Sequence, residues 1–457
     1  GYALRAEDFV DAGYYNNPFR MPSPRFKDWI SFQSRFVASR AKGLVDIAHE
    51  AGREAMMFLG DNWIGTEPFG EYFPSIGLDA VVGSAGSAAT TRLIAEIPGV
   101  RYSEVRFLPY FFPDVFNHDG GDPVGQANDS WLTSRRAIVR KPLDRMGYGG
   151  YVSLALEFPE FIERITAICQ EFRDIHEQSA GELPHNAPFT VGILNAWGAL
   201  RSWQTHMVAH ALWYKAVYSY VGVIEALAGL PFKVRFLSFD EVREHGVPEE
   251  VGVLINAGAA GTSYSGAEAW ADGRLAEIVR EWVAAGHGLI GVGEPAAYDP
   301  GGSFIQLSVD RERQLTLNTD RYPTVVKDHV ITADLDGPFD DGEGAGGDVY
   351  AVSERTQVLS LEDGTVRIAV NTFGEGRAVY FSGLPYSFTL QRALYWAAGR
   401  EDLLSHWFTT HPATEVAWYP GNRRMLVTNN AYEAVTTTVL GEGRQWELEI
   451  EPMGSVW

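Results

Sequence analysis

The strongest constraint on this chain is a rhythm in which short apolar runs alternate with longer stretches of helical periodicity. In the first part the runs are 55–59 (AMMFL), 78–82 (LDAVV) and 104–108 (EVRFL), and a helix-like stretch, TTRLIAEI, lies at 90–97. A longer helix is expected over 157–177 (EFPEFIERITAICQEFRDIHE). Residues 25–50 read as an amphipathic helix with Trp29, Phe32, Phe36, Leu44 and Ile47 roughly on one face, punctuated by Gly52. Strands that alternate with helices argue for parallel βα units. Only three or four strands can be counted in the first 185 residues, whereas a closed (β/α)8 barrel needs eight. If the fold is a barrel, this region is its C-terminal part.

The segment 179–188 (SAGELPHNAP) reads as a linker, and a new α/β rhythm starts after it. Strands are expected at 189–194, 232–237, 251–256, 288–292 and 378–382, with helices near 202–229 and 272–285. This order, with a Gly-rich turn after the fourth strand, suggests a flavodoxin-like or amidotransferase-like open sheet. Residues 333–348 (ADLDGPFDDGEGAGGD) are acidic and Gly-rich and read as a mobile loop. From about 410 onward, EVAWYP, RMLVTNN, AVTTTVL and WELEIEP alternate apolar and polar residues, as a small antiparallel β domain would. The expected division is 1–184, 188–405 and 410–457.

Charge narrows the partners. The net charge of −22 repels phosphate backbones and anionic lipids, so neither nucleic acid nor a membrane is expected. An anionic small substrate would need a local basic pocket. The single cysteine, Cys169, sits in the apolar pattern ITAICQEF and reads as a core residue; with one cysteine the chain forms no internal disulfide, which fits a reducing compartment. The chain begins GYALRAEDF, without an initiator Met, and the natural N-terminus is expected to lie further upstream.

Several motifs reduce to ordinary packing. His206 and His210 have metal-ligand spacing, but Met207 stands where H-E-x-x-H needs Glu and no third ligand is evident. No metal is expected. GVGEP (291–295) occupies the place of a nucleophile elbow but has no Cys or Ser. NAGAAG (256–261) is not a dinucleotide fingerprint, and 334–345 fails as a calcium loop at Phe339 and Ala345.

Asp61 is different. It follows the run AMMFLG at what would be a strand's C-terminal end, where βα barrels carry their chemistry. A turn or helix-cap aspartate is the plain alternative. Trp63 is close by, and the next strand end, VRFLPYFFPD, brings Arg106 with Tyr110, Phe111 and Phe112. Aromatics and a carboxylate on one rim suit a carbohydrate site. Asp79, at the start of its strand, reads as structural.

MMFLGDNWIGTEPF (56–69), LDAVVGSAG (78–86), RFLPYFFPD (106–114), DRMGYGGY (144–151), EFRDIHE (171–177) and FSGLPYS (381–387) together closely resemble the 1,3-β-galactosyl-N-acetylhexosamine phosphorylases, the galacto-N-biose/lacto-N-biose phosphorylases of glycoside hydrolase family 112. The resemblance runs over essentially the whole chain. It implies the C-terminal part of a TIM-like (β/α)8 barrel, an amidotransferase-like α/β domain without a nucleophile, and a small antiparallel β domain, with the early barrel strands lying upstream of Gly1.

The implied reaction is inverting phosphorolysis of a β-1,3-galactosyl-N-acetylhexosamine to α-galactose 1-phosphate and free N-acetylhexosamine. An inverting glycosidase needs both an acid and a base. Phosphate is already an anionic nucleophile, so the base is dispensable and a cationic cradle is needed instead. By the resemblance Asp61 is the general acid, Arg106 faces the phosphate, and Tyr110 and Phe112 line the acetamido-sugar site; Trp63 and Glu67 have no assigned role. To act, Asp61 must be protonated, which burial and a neighbouring phosphate would favour. The resemblance also implies a cytoplasmic homodimer with no cofactor beyond the co-substrate phosphate. The alternatives are a β-galactosidase-like hydrolase with a second carboxylate such as Glu67 or Glu104, a galactosyl-rhamnose phosphorylase, and an inactive sugar-binding fragment. GalNAc or GlcNAc preference turns on the axial or equatorial O4 and is left open.

Overall fold

The structure is a computed structural model that describes residues 26–59, 68–107, 115–196, 198, 220–258, 264–296, 325–326, 328–333, 335, 337–342, 349–351, 354–384 and 388–457. The fold is α/β, with two sheets of largely parallel strands followed by smaller antiparallel sheets.

The first sheet has β1 (Met56–Phe58), β2 (Ala80–Ser84), β3 (Tyr102–Phe107) and β4 (Arg145–Tyr148), all parallel and in sequential order. Helices α2 (Ala88–Ala95), α3 (Pro123–Arg140) and α5 (Pro159–Ser179) follow β2, β3 and β4, with the short α4 (Val152–Ala155) before α5. Neighbouring helices pack on each other, α2 on α3 and α3 on α5. Local signals start each helix. Ser87 caps α2 in a reciprocal box with Thr90, and Asp122 caps α3 ahead of Pro123.

Helix α1 (Phe26–Glu50) matches its expected span, but the expected apolar face is not the buried one. Phe32, Phe36, Leu44 and Ile47 are 47–73% exposed, as are Met56 and Phe58 of β1 at about half. The helix instead buries the small stripe Ser34, Ala38 and Val45 and packs against the turn Phe73–Ile76. The slim residues allow close approach, and no described element covers the bulky stripe.

The second sheet has the order β6 (Lys233–Ser238), β5 (Thr190–Asn195), β7 (Val251–Gly258), β8 (Gly288–Gly293), β11 (Gly376–Phe381), β10 (Thr365–Phe373), β9 (Gln357–Glu362). The first five are parallel and the last two antiparallel. Its parallel strands are near-continuous apolar runs because helices cover both faces. The helices are α6 (Tyr220–Leu227), α7 (Phe239–His245), α8 (Gly273–Ala284) and α9 (Phe388–Ala397). Of the helix expected over 202–229, the described part is α6. The expected mobile loop 333–348 is tied down in part. Phe339 is 4% exposed against the Phe381 ring, and Asp341 accepts from Arg367 at 2.7 Å and from Ser382 at 2.6 Å.

The chain ends in two three-stranded antiparallel sheets, with Trp407 and Trp418 stacked 4.0 Å apart. Three buried arginines of α3 join the regions. Arg135 donates to the carbonyls of Asn429 and Met453, Arg136 pairs with Glu415 and the Glu225 carbonyl, and Arg140 donates to the carbonyls of Gly229 and Val416.

Candidate active site

Because β1 to β4 all run the same way, their C-terminal ends collect on one rim. Leu59 closes β1, its N–H donating to the Val82 carbonyl at 2.7 Å. Ser84 ends β2 beside Arg106 of β3, which in turn pairs with Gly147 of β4. Residues in one register row of a parallel sheet share a face, and alternate residues along a strand change face. Val105 and Phe107 are therefore buried toward the helices, and Phe107 packs its ring on Trp131. Glu104 and Arg106 share the opposite face.

Arg106 is the cation of this rim. Its Nε donates to Glu104 Oε1 at 2.5 Å, which fixes the guanidinium along the strand. Its side chain is 32% exposed, that of Glu104 only 12%. Among the described residues, no hydrogen bond is made by Nη1 or Nη2. A guanidinium fork matches a phosphate or carboxylate. Glu104 lies in mid-strand and is paired with Arg106.

The β2–α2 turn stands next to Arg106. Ala85 donates its N–H to the Arg106 carbonyl at 2.9 Å, and Gly86 donates to Ser84 Oγ at 3.1 Å. From behind, Ser134 of α3 donates to the Ala85 carbonyl at 2.8 Å. Sequence reading did not single out Ser84. Its signal is the small-residue stretch GSAGS at a strand end, which acquires meaning only once the register puts it beside Arg106.

The other side of the rim is aromatic. Phe116 meets the rings of Phe158 and Phe161 edge-on at 5.4 and 5.1 Å, and Tyr148 meets Phe161 at 5.3 Å. This cluster anchors the chain that returns to α3 after β3. Burial pushes the Tyr148 phenol above its ordinary pKa, and its hydroxyl donates to the Tyr151 carbonyl at 3.3 Å. Tyr151 itself is 60% exposed. β4 was not foreseen as a strand, being only RMGY with a glycine inside it.

Asp61, Trp63, Glu67, Tyr110, Phe111 and Phe112 lie outside the described residues, as do His206 and His210. Asp61 is two positions beyond Leu59, and Tyr110 three beyond Phe107. Asp79 is at the far end of the sheet, before β2. It accepts from Ala55 N–H at 2.7 Å and from His49 at 2.8 Å, and these bonds hold its carboxyl below the usual range. A cavity of about 440 Å³ is lined by Glu104 together with Asp144, Arg145, Cys169 and His176, so it reaches the carboxylate that pairs with Arg106. Burial raises the Cys169 thiol pKa, as expected of a structural cysteine. Among the described residues, no group of acidic, His or Cys side chains could hold a metal ion, and no helix is long and apolar enough to cross a membrane.

Comparison with known proteins matches three family profiles along the chain. Residues 1–187 match the lacto-N-biose phosphorylase N-terminal TIM barrel domain, 190–402 its central domain and 407–457 its C-terminal domain. A 1,3-β-galactosyl-N-acetylhexosamine phosphorylase of Lachnoclostridium phytofermentans is 48% identical over 467 residues, covering 100% of this chain and 64% of its own. One of that name from Bifidobacterium longum subsp. longum is 44% identical over 500 residues, covering 100% and 66%. A D-galactosyl-β-1→4-L-rhamnose phosphorylase of Lachnoclostridium phytofermentans is 32% identical over 470 residues, covering 100% and 64%. The chain thus spans just under two thirds of the length of these relatives.

Proposed function

The chain belongs to the lacto-N-biose phosphorylase family, and on that premise we propose that the protein carries out inverting phosphorolysis of a β-1,3-galactosyl-N-acetylhexosamine, yielding α-galactose 1-phosphate and free N-acetylhexosamine. The observation that carries this reading is the match to the family's three domains over nearly the whole chain, at 48% identity to a relative named for that reaction. Arg106 supports it, a partly exposed guanidinium near the C-terminal ends of the parallel strands.

In the proposed reaction, a phosphate oxygen held by Arg106 attacks the galactosyl anomeric carbon from the face opposite the leaving group. The bond from that carbon to O3 of the N-acetylhexosamine breaks, and Asp61 gives its proton to O3. Galactose leaves as the α-phosphate, and the Asp61 carboxylate regains a proton before the next turnover. Phosphate brings its own negative charge, so the protein's task is to hold it in line. Tyr110 and Phe112 line the acetamido sugar. The central region is the amidotransferase-like sheet without a nucleophile. The working protein is a cytoplasmic homodimer that needs no cofactor or metal.

An N-acetylhexosamine is favoured over rhamnose because the relatives named for it are 48% and 44% identical, against 32% for the rhamnose enzyme. Hydrolysis is disfavoured because all three of these relatives are named phosphorylases.

The test is galactose 1-phosphate formation from lacto-N-biose and galacto-N-biose, with and without phosphate, beside Asp61→Asn. We expect phosphate-dependent product that is lost in the variant. Galactose released at full rate without phosphate would exclude phosphorolysis, and an active Asp61→Asn would exclude this acid.

A further inference from the structure

Glu225 belongs to α6, in the central region, yet its carboxylate sits at the start of α2 in the first. Oε2 accepts from Ala89 N–H at 2.7 Å and Oε1 from Ala88 N–H at 3.3 Å. Both alanines are fully buried. The next amides are already taken: Thr90 N–H donates to Ser87 Oγ at 3.1 Å and Ser87 N–H to Thr90 Oγ1 at 3.2 Å. The positive end of α2 is therefore filled by a carboxylate from another part of the chain. Glu225 is itself held, since Arg136 donates to its carbonyl at 3.0 Å and Ala88, Ala137 and Ala228 pack together where α2, α3 and α6 meet.

What Glu225 holds is the turn beside Arg106. Residues 84–87 lead directly into the two amides it receives, and their other end is bonded to the Arg106 backbone. We propose that Glu225 is a positioning residue of the active site, a carboxylate of the central region that sets the β2–α2 turn against Arg106 and so shapes the phosphate subsite. This rests on the phosphorolysis reading above. It gives the central region a part in catalysis without any nucleophile of its own.

The sign of the effect separates this role from simple electrostatics. Removing a negative charge near an anion subsite would by itself improve phosphate binding. Releasing the turn would weaken it.

The experiment compares Glu225→Gln and Glu225→Ala with the wild type in the full natural protein, varying phosphate and disaccharide separately and recording Tm. The expected result is a rise in KM for phosphate of about tenfold in Glu225→Ala and a smaller rise in Glu225→Gln, which keeps one acceptor; KM for the disaccharide moves by less than about twofold. A purely structural role would lower Tm without separating the two KM values, and would overturn the proposal. So would a folded Glu225→Gln whose KM for phosphate is unchanged or lower, and that variant decides the matter if Glu225→Ala does not fold. Wild-type cleavage indifferent to phosphate would overturn the phosphorolysis reading and this inference with it. A phosphate-dependent wild type with unmoved variants would overturn the inference alone.

Discussion

Arg106 donates from Nε to Glu104, and in the proposed reaction its terminal nitrogens would hold the phosphate, a division of labour available to a guanidinium and not to an ammonium. Arg106→Lys should therefore retain a positive charge yet lose the paired donors. We expect kcat/KM for phosphate to fall by about 10²-fold, with binding of the N-acetylhexosamine product little changed. Steady-state rates against phosphate concentration measure this; a lysine variant within about twofold of wild type would remove Arg106 from the phosphate subsite. At this scale the sequence was readable wherever function follows from adjacency. Arg106 could be named because it lies in a strand-end stretch, VRFLPYFFPD, that resembles a family motif, and Asp79 could be set aside because it opens its strand. Ser84 and Glu225 could not be found that way. Ser84 matters through its register partner on the next strand, and Glu225 through a contact with Ala89, 136 residues away along the chain.

A strand and its helix meet closely where β2 carries Gly83. A Cβ there would come within 2.3 Å of Ile94 Cγ1 on α2. Ile94 is 1% exposed and has little room to withdraw. Gly83→Ala should cost about 1–3 kcal/mol by overpacking, read as a lower Tm, and Ile94→Val in the same chain should recover part of it. An unshifted Tm would mean that α2 sits less tightly on the sheet. Element by element, the strands that run through a buried sheet were legible as apolar runs, and β5 to β8 lie close to where the pattern puts them. β4 was not, because a four-residue strand with a glycine carries little apolar signal, and the β9–β10 hairpin, QVLSLE and TVRIAVNTF, was passed over although its apolar residues are largely buried. The exposed stripe of α1 has a different cause. Periodicity tells which side chains share a face, but not whether another element covers it.

Across the whole molecule, α3 is where the first region, the central sheet and the C-terminal sheets are fastened together. Arg135, Arg136 and Arg140 are at most 7% exposed in a chain whose net charge is −22. Burial lowers the Arg140 pKa, a cost offset by bonds to the Gly229 and Val416 carbonyls at 2.8 and 2.6 Å. Buried charges of this kind add little net stability when intact, but breaking a pair leaves its partner charged and dry. Arg136 is the clearest case. Its partner Glu415 belongs to the C-terminal sheets and is 9% exposed, and its other bonds reach the Glu225 and Ala226 carbonyls of α6. Arg136→Met should cost about 3–5 kcal/mol. More tellingly, it should uncouple the regions, so that one thermal transition becomes two. Glu415→Gln added to Arg136→Met should restore part of the loss, since the orphaned charge is then gone. Calorimetry of the single and double variants measures this, and a single transition at the wild-type Tm in Arg136→Met would show that apolar packing alone joins the regions. If α6 loosens in that variant, the Glu225 carboxylate loosens with it. KM for phosphate should then rise even though Arg136 lies behind the rim, because the same helix that fastens the central region also carries the residue that sets the turn beside Arg106.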